Sequence, residues 1–119
     1  MRKLRIILLV VVALFVFVGC SSVPYSNASN HSLSVGERAV AIVDEFLDHS
    51  ITARDARNQI RALPEIDTDA GNSTDFLISA HVFSLGSRLL IAENDSAESY
   101  DNVLESRNEL AVGLGMRRR

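Results

Sequence analysis

The acidic segment between Asp67 and Asp75 contains the residues best suited to bind a metal ion. Asp67 and Asp69 stand at the first and third positions of an EF-hand calcium loop, and Asp75 stands at the ninth. Asn72 occupies the position where the turn needs glycine, and Ile78 occupies the one where a bidentate glutamate belongs. Because the turn and a main ligand are both missing, the pattern predicts a polar loop that leads into a helix, without a metal.

The histidines and serines do not form a catalytic or metal-binding pattern. His31, His49 and His81 lie 18 and 32 residues apart, so no two of them have the four-residue spacing of a helical metal site. No serine lies in a Gly-x-Ser-x-Gly elbow, and the chain has neither a phosphate-binding loop nor a dinucleotide glycine fingerprint. We therefore expect no enzyme and no cofactor. We expect His31 in a tether, His49 at a helix end and His81 packed on an apolar helix.

Composition limits the classes of protein to which the chain can belong. Its 119 residues suffice for one domain, and residues 20–119 carry 9 arginines, no lysine and 15 acidic side chains, a net charge of −6. Such an acidic body is a poor match for nucleic acid, which binds basic surfaces. The single cysteine, Cys20, excludes a disulfide within the chain and a cysteine-rich zinc site.

The N-terminus has the pattern of an export signal. Arg2, Lys3 and Arg5 precede thirteen consecutive apolar residues at 6–18. As a helix this apolar run would be about 20 Å long, whereas the hydrocarbon core of a bilayer is about 30 Å thick. The pattern therefore predicts a signal peptide at residues 1–19 rather than a permanent transmembrane helix.

Residues 17–22, Phe-Val-Gly-Cys-Ser-Ser, resemble the lipobox of bacterial lipoproteins. Gly19 and Cys20 match the small residue and the obligatory cysteine of that motif, while Phe17 stands where leucine is usual. The resemblance covers residues 1–22 only. It implies that Cys20 is lipidated on its sulfur and becomes the mature N-terminus, which would anchor the protein stably to a membrane. The alternative is an unmodified cysteine behind a signal anchor.

Behind Cys20 the sequence predicts a flexible tether. Residues 21–32 hold five serines, two asparagines and one proline, a composition typical of linkers. We expect residues 20–33 to form the lipidated N-terminus and tether, residues 34–115 a helical domain, and residues 116–119 a basic tail.

Four helices can be predicted from capping side chains followed by helical periodicity. The predicted capping segments are residues 34–37, 52–55, 72–75 and 95–98, which begin at Ser34, Thr52, Asn72 and Asp95, and the helices extend to about residues 48, 63, 93 and 115. No segment alternates for long enough to predict a strand. The pattern predicts an all-α fold, a small four-helix bundle built from two helical hairpins behind the signal peptide and tether.

The third and fourth helices carry the clearest apolar patterns. Residues 76–92 hold eleven apolar side chains spread around the helix, which predicts that the third helix is the most buried. We expect its core residues to include Phe76, Leu77, Phe83 and Leu90. The fourth helix has an apolar stripe that Arg107 interrupts, and we expect the charge of Arg107 to reach water.

Two charged stripes are predicted on the second and fourth helices. The basic stripe consists of Arg54, Arg57 and Arg61, and the acidic stripe consists of Glu98, Asp101, Glu105 and Glu109. One interpretation leaves both stripes as solvated faces, or places the two helices near each other so that the edges of the stripes exchange exposed ion pairs. The other makes the arginines an interaction stripe for an acidic partner or lipid phosphate, assisted by the arginines at 117–119.

Together these patterns favour a membrane-anchored lipoprotein that acts as a non-catalytic binding or adaptor module in the cell envelope. Its expected partners are the membrane, through the lipid on Cys20, and an envelope protein, but no nucleic acid. Because Ser21 rather than aspartate follows Cys20, the resemblance implies the outer membrane in a cell that has one, and otherwise the outer face of the cell membrane.

Other functions remain open. In size and anchoring the chain is similar to pilotins, small helical lipoproteins that chaperone secretion components. The main alternative is an exclusion or immunity lipoprotein of a phage or plasmid. A small-ligand carrier or an enzyme is the third possibility.

Overall fold

Four α-helices follow one another in the computed structural model, which describes residue 25 and residues 27–119. They are α1 (Asn30–Leu47), α2 (Ala53–Arg61), α3 (Ser73–Ala92) and α4 (Ala97–Gly113). The part of the chain that is described contains no strand. The prediction of an all-α four-helix bundle is therefore confirmed. The predicted signal peptide and Cys20 lie outside the described residues.

Polar side chains cap three of the helices where the sequence predicts it. The Thr52 hydroxyl accepts a hydrogen bond from the backbone N–H of Asp55 at 3.1 Å, and the Ser96 hydroxyl accepts one from Ser99 at 3.2 Å. The Asn72 side chain accepts two, from the first turn of α3. Each cap satisfies backbone donors that have no partner within the helix, so the starts of α2, α3 and α4 are set locally.

The first helix begins earlier than predicted. Ser29, not Ser34, is its cap, because the Ser29 hydroxyl accepts a hydrogen bond from the backbone N–H of Ser32 at 3.1 Å. The backbone N–H of Ser29 in turn donates to the Asp75 carboxylate at 2.8 Å. This contact with α3 fixes the cap, and residues 30–33, predicted as tether, form the first turn of α1.

The helices pack so that α1 and α3 form the centre of the bundle. Each of these two helices contacts the other three, whereas α2 and α4 do not contact each other. The largest fully buried apolar side chains come from α1, α3 and α4: Val40, Val43, Ile78, Leu85, Leu89, Val103 and Leu110. The core therefore lies between α1 and α3, with α2 and α4 on either side.

The prediction that Phe76, Leu77, Phe83 and Leu90 are buried is wrong. Their exposed fractions are 59%, 48%, 77% and 50%. The helix α3 is apolar on all sides, but only one side faces the other helices. The core takes the stripe of Ile78, Leu85 and Leu89 and leaves the opposite stripe outside.

The prediction that the charge of Arg107 reaches water is also wrong. Arg107 is only 5% exposed, and its guanidinium donates two hydrogen bonds to the Asp44 carboxylate, of 2.8 and 3.1 Å. It also donates to the backbone carbonyl of Arg117. Arg119 pairs with Asp44 and Asp48. Residues 116–119, predicted as a basic tail, therefore fold back along α1 and α4.

Candidate binding surface

The outward side of α3 carries five of the six exposed large hydrophobic side chains of the described residues. It consists of Phe76, Leu77, Phe83, Leu90 and Ile91, and we call these five side chains the α3 open face. Phe76, Phe83 and Leu90 are spaced by seven residues, so they form one line along the helix. No described segment packs over them. Contiguous exposed apolar patches of this kind commonly mark interaction sites.

The outward side of α1 provides an internal comparison, because α1 and α3 hold equivalent central places in the bundle. The exposed residues there include Glu37, Arg38, Glu45 and Asp48, which are all charged. A helix in this position can therefore face solvent with charged side chains. The apolar character of the α3 open face is not required by the packing of the four helices.

A groove of about 650 Å³ runs along the open face, between α3 and α2 with the loop that follows α2. Ile60, Leu63, Val82 and Leu90 are among its apolar lining residues. Its volume lies within the range of small-ligand sites, about 300–1,000 Å³. The groove and the α3 open face form one continuous surface, because Phe83 and Leu90 belong to both.

The arginines of α2 lie at the edge of this surface. Arg57 and Arg61 line the groove, and Arg57 and Arg54 stand 3.6 and 3.9 Å from the Glu93 carboxylate at the end of α3. These distances describe loose ion pairs, in which the Arg54 side chain is exposed and the Arg57 and Glu93 side chains are partly buried. At such distances each pair is worth about 0–1 kcal/mol. Arg61 forms no ion pair among the described residues. The interpretation that α2 and α4 lie side by side is wrong, since these helices do not touch.

The acidic stripe of α4 lies beyond the opposite side of α3. Its four members, Glu98, Asp101, Glu105 and Glu109, are all exposed. The contact between α3 and α4 on this side includes a hydrogen bond from the Arg88 guanidinium to the Asn102 carbonyl, at 3.1 Å. A basic helix therefore flanks α3 on one side and an acidic helix on the other.

Tyr25 packs against both α3 and α4, where these two helices meet. Its ring lies against Gly113, at a place where any larger side chain would collide with it, and its centroid is 6.5 Å from that of His81. Burial raises the pKa of the Tyr25 hydroxyl, and the neighbouring Glu109 carboxylate raises it further. The Tyr25 ring thus adds to the packing of the bundle just ahead of α1.

The histidines that were considered as metal ligands or catalytic residues make contacts that stabilise the fold. The imidazole of His31, in the first turn of α1 and not in a tether, donates to the Glu65 carbonyl at 2.8 Å. His49 follows the end of α1 with a φ of 61°, and its ring stacks on Tyr100 with centroids 5.8 Å apart. No group of three potential metal ligands is close enough to hold an ion in the described part of the chain.

Two carboxylates, the partly buried Asp44 and the buried Asp75, are held ionised by their surroundings. Burial alone would raise the pKa of Asp44, but the hydrogen bonds and charges of Arg107 and Arg119 lower it overall. Burial acts in the same direction on Asp75, whose pKa is lowered overall by the Ser29 N–H and the hydroxyls of Ser29 and Ser32. In both cases the polar partners join separate segments, so these groups stabilise the fold.

Replacing Asp75 with Asn should make stability less dependent on pH. A carboxyl with a depressed pKa stabilises the fold above its unfolded pKa of about 3.9, and this contribution is lost as the pH falls. The Asp75→Asn variant should therefore be less stable than the parent at pH 7, with a difference that shrinks below about pH 4. Urea unfolding followed by circular dichroism from pH 7 to pH 3 measures this, with the exposed Asp101→Asn as control. A constant difference across that range would contradict the assignment.

Among the described helices, α3 is the one long and apolar enough to cross a membrane by length and composition, with a mean hydropathy of 1.3 over 18 residues. The central helix of a bundle meets the same criteria, so this property is weak evidence for a membrane span. No protein-family model, curated protein or solved structure matches the chain.

Proposed function

We propose that the protein is a membrane-anchored lipoprotein whose helical body is a non-catalytic binding module of the cell envelope, and that the α3 open face is its binding surface. The observation that carries the proposal is the exposure of Phe76, Phe83 and Leu90 in one line beside a groove edged by arginines. The lipobox resemblance around Cys20 supports the anchoring. The charged outward side of α1 supports the choice of α3.

Anchoring is tested by replacing Cys20 with Ser in the full chain. Since only a thiol can form the thioether to diacylglycerol, the variant should remain an unprocessed precursor and lose labelling by a fatty-acid analogue. Labelling and maturation are read by gel mobility and by mass spectrometry. Labelling that persists in Cys20→Ser would overturn the lipoprotein assignment.

The binding surface is tested by photo-crosslinking in cells. A photoreactive amino acid at position 83, in the full chain, should give a discrete protein adduct, because Phe83 is the most exposed side chain of the α3 open face. The same amino acid at position 41 is the matched control, since Ala41 is exposed on the outward side of α1. Mass spectrometry identifies the adduct. Equal yields at the two positions would contradict a binding role for α3.

The arginines provide a second test of the same surface. A chain with Arg57→Gln and Arg61→Gln should keep its stability within about 1 kcal/mol, because the Arg57–Glu93 pair is loose, at 3.6 Å, and Arg61 forms no ion pair among the described residues. Its crosslink from position 83 should weaken, since the arginines edge the surface. Loss of stability with an unchanged crosslink would show that the arginines serve the fold and not the contact.

A further inference from the structure

We propose that the partner of the α3 open face is a second copy of this chain, in a twofold dimer in which the two α3 helices lie parallel and face to face. This inference rests on the proposed function, because it uses the same face and names its partner. The residue pattern and the charges that carry it do not involve the lipid, so the dimer can fail while the anchoring holds.

The outward side of α3 has the residue pattern of a helix–helix seam. Phe76, Ala80, Phe83, Ser87 and Leu90 are separated alternately by four and three residues, the spacing of the two inward positions of a coiled-coil heptad. The large residues alternate with the small ones. The small residues allow two helix backbones to approach, while the large side chains supply the apolar contact. A flat lipid surface or a small ligand would not require this spacing.

This seam is a second apolar stripe on the same helix. The first, with Ile78, Leu85 and Leu89, is fully buried against the bundle. A helix that packs on the second stripe must therefore come from outside the described residues. A copy of α3 supplies a stripe of the same pattern, as a twofold contact demands.

The charges on either side of α3 select a parallel arrangement. When the twofold axis runs along α3, the basic helix α2 of one copy lies on the same side as the acidic helix α4 of the other. When the two α3 helices are antiparallel, α2 faces α2 and α4 faces α4. The arginines of one α2 would then face the arginines of the other, and the acidic residues of one α4 would face those of the other; like charges across an interface are unfavourable.

The parallel arrangement also fits the anchor. A twofold axis along the helices places the N-terminal ends of both copies at the same end of the dimer. Two chains tethered to one membrane through residues ahead of α1 can adopt this arrangement, whereas an antiparallel pair would point its tethers in opposite directions.

Single engineered cysteines test the arrangement in the full chain, in membranes. In a parallel dimer each of Ala80→Cys and Ser87→Cys lies opposite its own copy, so each variant alone should give a dimer-sized band with a short bismaleimide. Glu45→Cys, exposed on the outward side of α1, is the control and should give none. Adding Phe83→Asp to Ser87→Cys should abolish the band, because it places two carboxylates in the seam.

Three results would overturn the proposal. Bands from Ala80→Cys and Ser87→Cys no stronger than from Glu45→Cys would show that α3 does not face its copy. A band only when the Ala80→Cys and Ser87→Cys chains are mixed would show an antiparallel dimer. An adduct from position 83 that contains another protein and no second copy would leave the proposed function standing and remove this inference.

Discussion

Replacing Leu89 with Ala should lower the free energy of unfolding by about 2–5 kcal/mol, whereas the same change at Leu90 should lower it by about 1 kcal/mol or less. The two leucines are neighbours in α3, yet Leu89 is fully buried and Leu90 is half exposed. Truncating Leu89 leaves a cavity between α3 and the other helices, and the neighbours can fill it only in part.

These two variants make the same substitution, leucine to alanine, once on the buried stripe of α3 and once on its exposed stripe. Both lose the same atoms and have the same effect on helix propensity. Urea unfolding, at a protein concentration low enough to keep the chain monomeric, measures the difference. Equal losses at Leu89 and Leu90 would mean that the core does not lie on the side of Ile78 and Leu85.

Replacing Asp44 with Ala should lower the free energy of unfolding by about 2–4 kcal/mol. Breaking a fully buried ion pair costs about 3–5 kcal/mol, because the remaining charge has no partner. The cost here is expected to be lower, since the Asp44 side chain is 28% exposed and Arg107 keeps its bonds to the Arg117 carbonyl and to Asn108.

The matched control is Asp48→Ala, four residues after Asp44 at the C-cap of α1. Asp48 also pairs with an arginine, Arg119, but its side chain is 58% exposed. An exposed pair is worth about 0–1 kcal/mol, so this variant should be nearly as stable as the parent. Thermal and urea unfolding compare the two. A cost at Asp48 as large as that at Asp44 would show that burial of Arg107 does not decide the energy of the pair.

The helix starts could be predicted because the physics that sets them is local. Thr52, Asn72 and Ser96 each satisfy backbone donors two or three residues away, and such pairs are visible in the sequence. The start of α1 could not be predicted in the same way. Ser29 and Ser34 can each accept a hydrogen bond from a backbone N–H three residues later. Ser29 is the N-cap of α1 because its own N–H donates to the Asp75 carboxylate, 46 residues away.

The burial of α3 shows the limit of periodicity. An amphipathic helix reveals its inner face, but a helix that is apolar on all sides does not. Both the stripe of Leu85 and the stripe of Phe83 have helical spacing, and only the positions of the other helices decide between them. The α3 open face, and with it the candidate binding surface, could therefore not be predicted, because the sequence of α3 predicts burial on all sides of the helix.

Arg107 illustrates a third limit. A lone arginine in an apolar stripe predicts a solvated charge unless its partner is known, and here the partner, Asp44, lies 63 residues away on another helix. The stripe of Arg54, Arg57 and Arg61 shows the reverse case. Arg54 and Arg57 lie on α2 as predicted, but the carboxylate with which they pair, Glu93, lies at the end of α3 rather than on α4.

The contact between Asp44 and Arg107 has a consequence for how the chain reaches its final shape. It joins the first helix to the last, as does the hydrogen bond from the Tyr100 hydroxyl to the Leu47 carbonyl across 53 residues. The N-terminal hairpin therefore gains these two contacts only after the last helix has been synthesised. Asp44 remains hydrated until Arg107 has been synthesised, so the pairing of these two residues is a late, long-range step of folding.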